Sequence, residues 1–226
     1  MTHSMEILSR GAAEMGLELT ARQMDQFGTY HAELANWNQR VNLTAITGHR
    51  EVQVKHFLDS LTVLLAYPAG MPSTARLVDV GAGAGFPSLP LKLLYPDLRV
   101  SLVESTGKKT QFLEHLIGVL GLSGVEVWKG RAEELAHRPE LREGFDLVLS
   151  RGVARTPVLL EYTLPYSRLG GRAVFLKHGG IDGELAASAR ALEVLGGRLG
   201  GVHPVRAAGL EDNRVVVVVE KVRPTP

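Results

Sequence analysis

LVDVGAGAGFPSLPLKLL (residues 77–94) is the stretch on which the reading of this chain turns. A short apolar run carrying Asp79 leads into Gly81, Gly83 and Gly85, and a leucine-rich segment follows. That is a strand, a glycine-rich turn and the start of a helix. Glycine at those positions permits tight dihedrals and lets a ligand come close to the backbone. Downstream, VSLVE (100–104), VEVWK (125–129), FDLVLS (145–150) and RAVFLK (172–177) repeat the short apolar pattern of RLVDV (76–80). The intervening PLKLLYP (90–96), KKTQFLEHLIGVLG (108–121), AEELAHRPEL (132–141) and VLLEYTLPYS (158–167) are predicted helices. Strand–helix alternation implies βαβ units and a mostly parallel sheet. At the end, GRLGGVHPVRA (197–207) and NRVVVVVEKV (213–222) face each other without a helix between them. They read as an antiparallel hairpin at the sheet edge, with the valine run buried on both faces.

Upstream of residue 75 the periodicity is helical. Ile7, Leu8 and Met15 begin it, and Met24, Phe27, Tyr30, Leu34 and Trp37 recur at threes and fours behind Thr20, a predicted N-cap. A third helix is expected from about Arg50 to Ala66, with Val54, Phe57, Leu58, Leu61 and Leu65 on one face. The turn YPAGMPST (67–74) closes this part. Residues 1–74 are therefore expected to form a helical lobe and 75–226 an α/β domain, together one unit. The 226 residues suit one large domain with a small attached lobe.

Composition narrows the chemistry. With 25 Lys+Arg against 24 Asp+Glu the formal charge is +1, which excludes a globally basic polyanion binder but not a local basic patch. The absence of cysteine removes disulfides, thiolate zinc sites and cysteine nucleophiles. No metal is expected. No apolar run is long enough to span a bilayer and MTHSMEILSR lacks a signal-peptide core, so a soluble, cytoplasmic protein without membrane contact is expected.

Glu104 follows Gly81 by 23 residues, at the end of the second strand. A carboxylate there can accept from both hydroxyls of a ribose, which points to an adenosine-bearing cofactor across the strand ends. A dinucleotide fingerprint would need a third glycine where Phe86 stands, and Pro87 offers a pyrophosphate no N–H. No phosphate-binding loop with Lys-Ser or Lys-Thr occurs. The Asp-x-Gly-x-Gly-x-Gly pattern, the acid after strand two and the closing hairpin look like the Rossmann-like, class I S-adenosylmethionine-dependent methyltransferase fold, with a seven-stranded sheet. The plainer alternative is a glycine-rich turn in some other doubly wound protein. On the methyltransferase reading Asp79 receives the cofactor's amino group, directly or through water. Ala132 and Glu133 face the adenine, and Phe86 or Trp128 gives it apolar contact. Trp128 reads equally as a core residue, and Glu133 with Glu134 as an ordinary charged first turn.

The acceptor side is read from DLVLSRGVARTP (146–157). It lacks the Asn/Asp-Pro-Pro-Tyr sequence that gathers exocyclic amino groups. C5-pyrimidine transfer would need a cysteine, and no Lys-Asp-Lys-Glu set falls where ribose 2′-hydroxyl transfer would place it. Acceptors already nucleophilic at neutral pH remain, among them guanine N7, for which catalysis is alignment for in-line displacement. Arg151 stands where it would touch both cofactor and substrate, although a strand-capping surface arginine has the same spacing. Lys177 and His178 follow strand five, with Gly179 and Gly180 behind them. The helices before strand one are expected to lean over this rim as a lid. There HFLDSL (56–61) puts His56, Asp59 and Ser60 within one turn, although a packing histidine would fit the same position.

With these residues in hand, the chain resembles the bacterial 16S ribosomal RNA guanine-N7 methyltransferases, once called glucose-inhibited division protein B. The matching stretches are WNQRVNLTAI (37–46), HFLDSL (56–61), LVDVGAGAGFPSLPL (77–91), ESTGKKTQFL (104–113), GRAEE (130–134), LSRGVA (149–154) and FLKHGG (175–180), in the family's order. The resemblance implies an rRNA-methylating enzyme that makes 7-methylguanosine in the decoding-centre loop, helix 18, of 16S rRNA. Its cofactor is S-adenosyl-L-methionine and its partner 16S rRNA, the 30S subunit or an assembly intermediate, with a monomer expected. It also implies cofactor contacts from Gly81, Phe86, Glu104, Ser105, Thr106, Ala132, Glu133 and Arg151. Asn42, His56, Asp59, Arg151 and Lys177 fall to the substrate side, with Arg214 near the final hairpin. Where the family often has Gly-Leu-Pro-Gly, this chain has Gly85-Phe86-Pro87-Ser88. The competing readings are a methyltransferase of another RNA, a protein or a small molecule, and a binding module on the same scaffold.

Overall fold

In the computed structural model, which describes residues 4–226, seven strands form one sheet. The first three residues of MTHSMEILSR, the stretch read for a signal-peptide core, lie outside the described residues. The strands are β1 (Arg76–Val80), β2 (Arg99–Glu104), β3 (Val125–Lys129), β4 (Phe145–Arg151), β5 (Ser167–His178), β6 (Gly197–Pro204) and β7 (Arg214–Lys221). Their order is β3-β2-β1-β4-β5-β7-β6. The first five pair in parallel, while β7 runs antiparallel to both β5 and β6. The chain leaves β1 toward β2 and β3, then returns to the other side of β1 through β4. That reversal opens a crevice at the carboxyl ends of β1 and β4, where open α/β sheets bind ligands.

Before the sheet come α1 (Glu6–Glu14) and α2 (Ala21–Asn38). Thr20 caps α2: its hydroxyl accepts from the Gln23 amide and the Gln23 side chain accepts from the Thr20 amide, a reciprocal capping box. The predicted third helix is a continuous run from 49 to 66 in four parts. These are α3 (His49–Val52), a π-helical turn (Gln53–Leu58), α4 (Asp59–Leu61) and a 3-10 segment (Thr62–Ala66). Further along lie α5 (Ser88–Leu94), α6 (Gly107–Leu120), α7 (Ala132–Leu135) and α8 (Thr156–Thr163), then α9 (Asp182–Ala187) and α10 (Ala189–Leu195). Gly121, in the left-handed region at φ 63°, terminates α6 as its C-cap.

Each sheet face carries its own core. Leu77, Leu102, Leu149, Leu176, Val216 and Val218 face the early helices and pack with Leu8, Phe27, Tyr30, Phe57 and Phe112. Val78, Val80, Val148, Phe175, Val217 and Val219 face the other way, toward Leu160, Leu164 and Tyr166. The valine run alternates between the two cores, and Val216 to Val219 are all buried, as a strand covered on both faces requires. Among the described residues no helix is long and apolar enough to cross a membrane.

Some expectations need adjusting. AEELAHRPEL is helical only over Ala132–Leu135, because Pro139 disfavours α geometry at the residue before it. Pro165 likewise ends α8 early, and Leu164–Tyr166 is a 3-10 turn. β5 starts at Ser167, five residues before its apolar run. α9 and α10 occupy a stretch to which the sequence assigned no helix, and neither buries a residue fully.

Candidate active site

Two clefts open at the carboxyl ends of the parallel strands, and both are lined by Ala154. The larger, about 610 Å³, lies between the 49–66 helical run and the ends of β4, β5 and β7. Among its lining residues are His56, Asp59, Arg151, Lys177, Glu184 and Arg214. The smaller, about 240 Å³, is lined by Gly81, Glu104, Ser105, Ala132, Glu133 and Val153, with Tyr162 on its far side.

The larger cleft is organised around Asp59, whose side chain is 3% exposed. Its Oδ2 accepts from Arg151 at 2.9 Å and its Oδ1 lies 2.6 Å from Arg214. Arg151 comes from the end of β4 and Arg214 from the start of β7, so one helical carboxylate ties two strands. Arg151 also donates to the Lys55 carbonyl at 3.2 Å and contacts His56 Nδ1 at 3.1 Å. A guanidinium carries only donors, so Nδ1 must accept and the ring proton sits on Nε2. Nε2 lies 2.8 Å from Thr44 Oγ1, which also accepts from the Ile46 amide. Burial first, and Arg151 second, push the His56 pKa down to about 3, so the ring is neutral. Arg151 is therefore a half-buried, paired cation, not a solvated strand cap.

The π-helical turn contributes to this convergence. Such turns recur inside helices at functional sites, and here His56 lies within the turn and Asp59 just beyond it, both reaching Arg151. Ser60, the third polar residue of HFLDSL, donates back to the His56 carbonyl at 2.6 Å and is buried.

Phe86 stands apart from the smaller cleft. Its ring stacks on His56 (centroids 4.5 Å) and on Tyr30 (5.1 Å), with the Arg151 guanidinium 5.0 Å from its centroid. It supports the Arg151–His56 cluster and is not among the residues facing Ala132 and Glu133. Trp128 does not line that cleft either: it packs against the second core beneath Arg138. Both depart from the adenine contact expected of them.

The glycine turn is packed tightly on one side and open on another. A Cβ on Gly81, at φ 76°, would sit 2.5 Å from Val153, and one on Gly85, at φ 91°, 2.5 Å from Leu89. At Gly83 nothing but the Gly81 carbonyl, at 3.8 Å, lies within 4 Å, so the backbone there is open to close approach. Glu104 accepts from the Gly83 amide at 3.0 Å and from Thr106 at 2.8 Å, which fixes its carboxylate against the turn. Asp79 is fully buried; Oδ2 accepts from the Ser88 amide and Oδ1 has no partner. Burial raises its pKa to about 7. It lies behind the turn, outside the residues that line the smaller cleft. An open glycine, a fixed carboxylate and an orphaned acid oxygen are the features an adenosine-bearing cofactor with a cationic amino group would use.

Lys177 is held on the opposite wall, donating to the Ala154 carbonyl at 3.1 Å and to Glu184 at 2.9 Å. Glu184, on α9, was not singled out by the sequence: an acid in a short polar helix carries no distinguishing signal. Asn42 is exposed and does not line either cleft. The asparagine that shapes the NLTAI loop is Asn38, whose Oδ1 accepts from the Leu43 and Thr44 amides at 2.8 and 3.0 Å and whose Nδ2 donates to the Thr44 carbonyl. Asn38 thereby presents Thr44 to His56. Both asparagines lie within WNQRVNLTAI, and spacing alone does not tell them apart. Among the described residues no group of His, Asp and Glu is arranged to hold a metal ion.

Comparison with known proteins adds sequence and fold relationships to this geometry. The family described as rRNA small subunit methyltransferase G matches residues 23–211. A Ribosomal RNA small subunit methyltransferase G from Roseiflexus castenholzii is 49% identical over 222 residues, covering 98% of this chain and 93% of the relative. One from Lactobacillus johnsonii is 45% identical over 221 residues, with 98% and 92% covered. Among solved structures, a SAM dependent methyltransferase from Aquifex aeolicus superposes with a TM-score of 0.54 at 20% identity, over 73% of this chain and 90% of that one. M. jannaschii TYW2 in complex with AdoMet gives 0.57 at 17% identity, over 77% and 76%.

Proposed function

Because the chain belongs to the rRNA small subunit methyltransferase G family and has its methyltransferase fold, we propose that it transfers the methyl of S-adenosylmethionine to N7 of a guanine in helix 18 of 16S rRNA. S-adenosylmethionine supplies an electrophilic methyl on a sulfonium centre. The smaller cleft would hold it, with Glu104 accepting from the ribose hydroxyls, the Gly81–Gly85 turn beneath, and Ala132 and Glu133 at the adenine. Asp79 Oδ1 would meet the amino group through water.

The observation that carries the N7 reading is that the groups around Arg151 and Lys177 that could act as bases are already committed, while His178, also on the lining, is mostly exposed and lies 3.8 Å from Asp212. His56 Nδ1 already accepts from Arg151, and both Asp59 oxygens are matched to guanidinium groups. Glu184 is kept ionised, its pKa lowered to about 2 by Thr156 and then Lys177, which makes it a weak base. An amino or hydroxyl acceptor must lose a proton; guanine N7 has an in-plane lone pair and loses none. As the N–C bond forms, the ring takes the positive charge that leaves the sulfonium, and the pair of electrons in the S–C bond returns to sulfur. The residues here supply alignment and charge complementarity.

The helices before residue 75 form the substrate-side lid in this reading. Lys55, Arg151, Lys177 and Arg214 give the larger cleft its cationic wall, suited to the phosphates around a splayed-out base. A cytoplasmic monomer acting on 16S rRNA within a small-subunit particle fits the same reading. Tritium transfer from labelled cofactor to 16S rRNA or to 30S particles lacking this methylation tests it. Label is expected in the RNA; cofactor binding with label only in protein or small molecules would overturn it.

A further inference from the structure

We propose that Glu184 distinguishes guanine from adenine at the acceptor site by accepting hydrogen bonds from the guanine Watson–Crick edge, an inference that rests on the guanine reading above. The two oxygens of this carboxylate are used unequally. Oε2 accepts from the Thr156 amide at 2.9 Å, the Thr156 hydroxyl at 2.7 Å and Lys177 at 2.9 Å. Oε1 has only the Arg155 guanidinium, at 3.9 Å, and that side chain is 77% exposed. One oxygen is an anchor held by the start of α8 and the end of β5. The other has lone pairs to offer on the wall of the larger cleft.

The neighbouring carboxylate and the His56 ring are already committed. Asp59 is matched by Arg151 and Arg214, and His56 Nδ1 by Arg151. Glu184 Oε1 is thus the carboxylate oxygen that remains to read a base among the described residues lining this cleft. Guanine presents two donors side by side, N1–H and the N2 amino group. Adenine presents a lone pair at N1, which an ionised carboxylate repels. Lys177 spends two donors on Ala154 and Glu184, and its third N–H complements guanine O6, where adenine carries an amino group. Discrimination therefore has an attractive and a repulsive part. Methylation at N7 also makes the ring cationic and N1–H a stronger donor, so a bond to the carboxylate tightens as the reaction proceeds.

The test compares small-subunit particles reconstituted with 16S RNA that carries guanosine or inosine at the methylated position. Inosine keeps N7, O6 and N1–H but lacks the N2 amino group. For the wild-type protein kcat/KM is expected to fall about tenfold or more with inosine, the cost of one lost hydrogen bond to a charged group. In Glu184→Gln the rate on guanosine falls and the guanosine-to-inosine ratio narrows to within about threefold, with cofactor affinity by calorimetry retained. Equal wild-type rates on the two RNAs, which involve no variant, overturn the proposal; so does a Glu184→Gln protein with an unchanged ratio. Failure of the wild-type protein to methylate the guanosine RNA overturns the proposed function and this inference together.

Discussion

Arg151 and Asp59 meet at 2.9 Å across the seam between the sheet and the helices that precede it. The arginine ends β4 and the aspartate opens α4, 92 residues earlier in the chain. Their contact joins the early helices to the strand ends and aims the guanidinium into the larger cleft. Arg214 completes the arrangement from β7 at 2.6 Å, so the buried carboxylate balances two half-buried cations.

Replacing Asp59 by Asn is expected to cost about 3–5 kcal/mol, because two guanidinium groups lose their counter-charge at once. Arg151→Ala leaves Asp59 paired with Arg214 and is expected to cost distinctly less stability while reducing methyl transfer. Urea unfolding of the two variants beside the wild type checks the order. Equal losses would mean that Asp59 serves Arg151 alone.

The His56 ring gives the fold an acid-sensitive step. Its pKa falls from 6.5 in an unfolded chain to about 3 in the folded one. Stability is therefore fully present above pH 6.5 and lost as the pH drops toward 3, by up to about 1.4 kcal/mol per pH unit within that window. Urea midpoints measured at pH 7 and pH 5 should differ in the wild type and differ less in His56→Gln. An identical pH response in the two proteins would remove His56 as its source.

Gly85→Ala is expected to destabilise by about 1–3 kcal/mol, since a Cβ would press to 2.5 Å from Leu89 and 2.8 Å from the Tyr30 hydroxyl at a positive φ. Gly83→Ala meets open space at φ 58°. Its larger effect should be on cofactor affinity. Thermal unfolding and calorimetry of both proteins separate the two, and a Gly83 variant that binds normally would argue against a ligand over that glycine.

Glu104→Ala should weaken S-adenosylmethionine binding by about 1–3 kcal/mol in calorimetry, because the ribose hydroxyls lose their acceptor. The Gly83 and Thr106 amides also lose theirs, so the glycine turn should show faster amide exchange. Unchanged affinity would move the ribose elsewhere.

The sheet was legible because its strands are buried runs bounded by glycine and proline, and the valine run could be buried only on both faces. The early helices were legible by periodicity. What spacing does not encode is which way a side chain turns. Phe86 follows the glycine motif in sequence, yet its ring lies in a stack between Tyr30 and His56, an arrangement made by three separate segments. Asn38 and Asn42 differ only in which one the loop folds around. Glu184 belongs to a helix without a buried residue, so neither its element nor its hydrogen bonds to Thr156 and Lys177 left a pattern. Arg151, His56, Asp59, Lys177 and Arg214 do converge on one cleft, joined by hydrogen bonds between residues distant in the chain.

The most direct measurement treats unmethylated 16S rRNA or 30S particles with the protein and S-adenosylmethionine, cleaves chemically at 7-methylguanine and maps the break by primer extension. A single new stop at a guanine of helix 18, absent with Arg151→Ala, is the expected result. Methyl incorporation into the RNA with no cleavage at any guanine would contradict N7 as the acceptor.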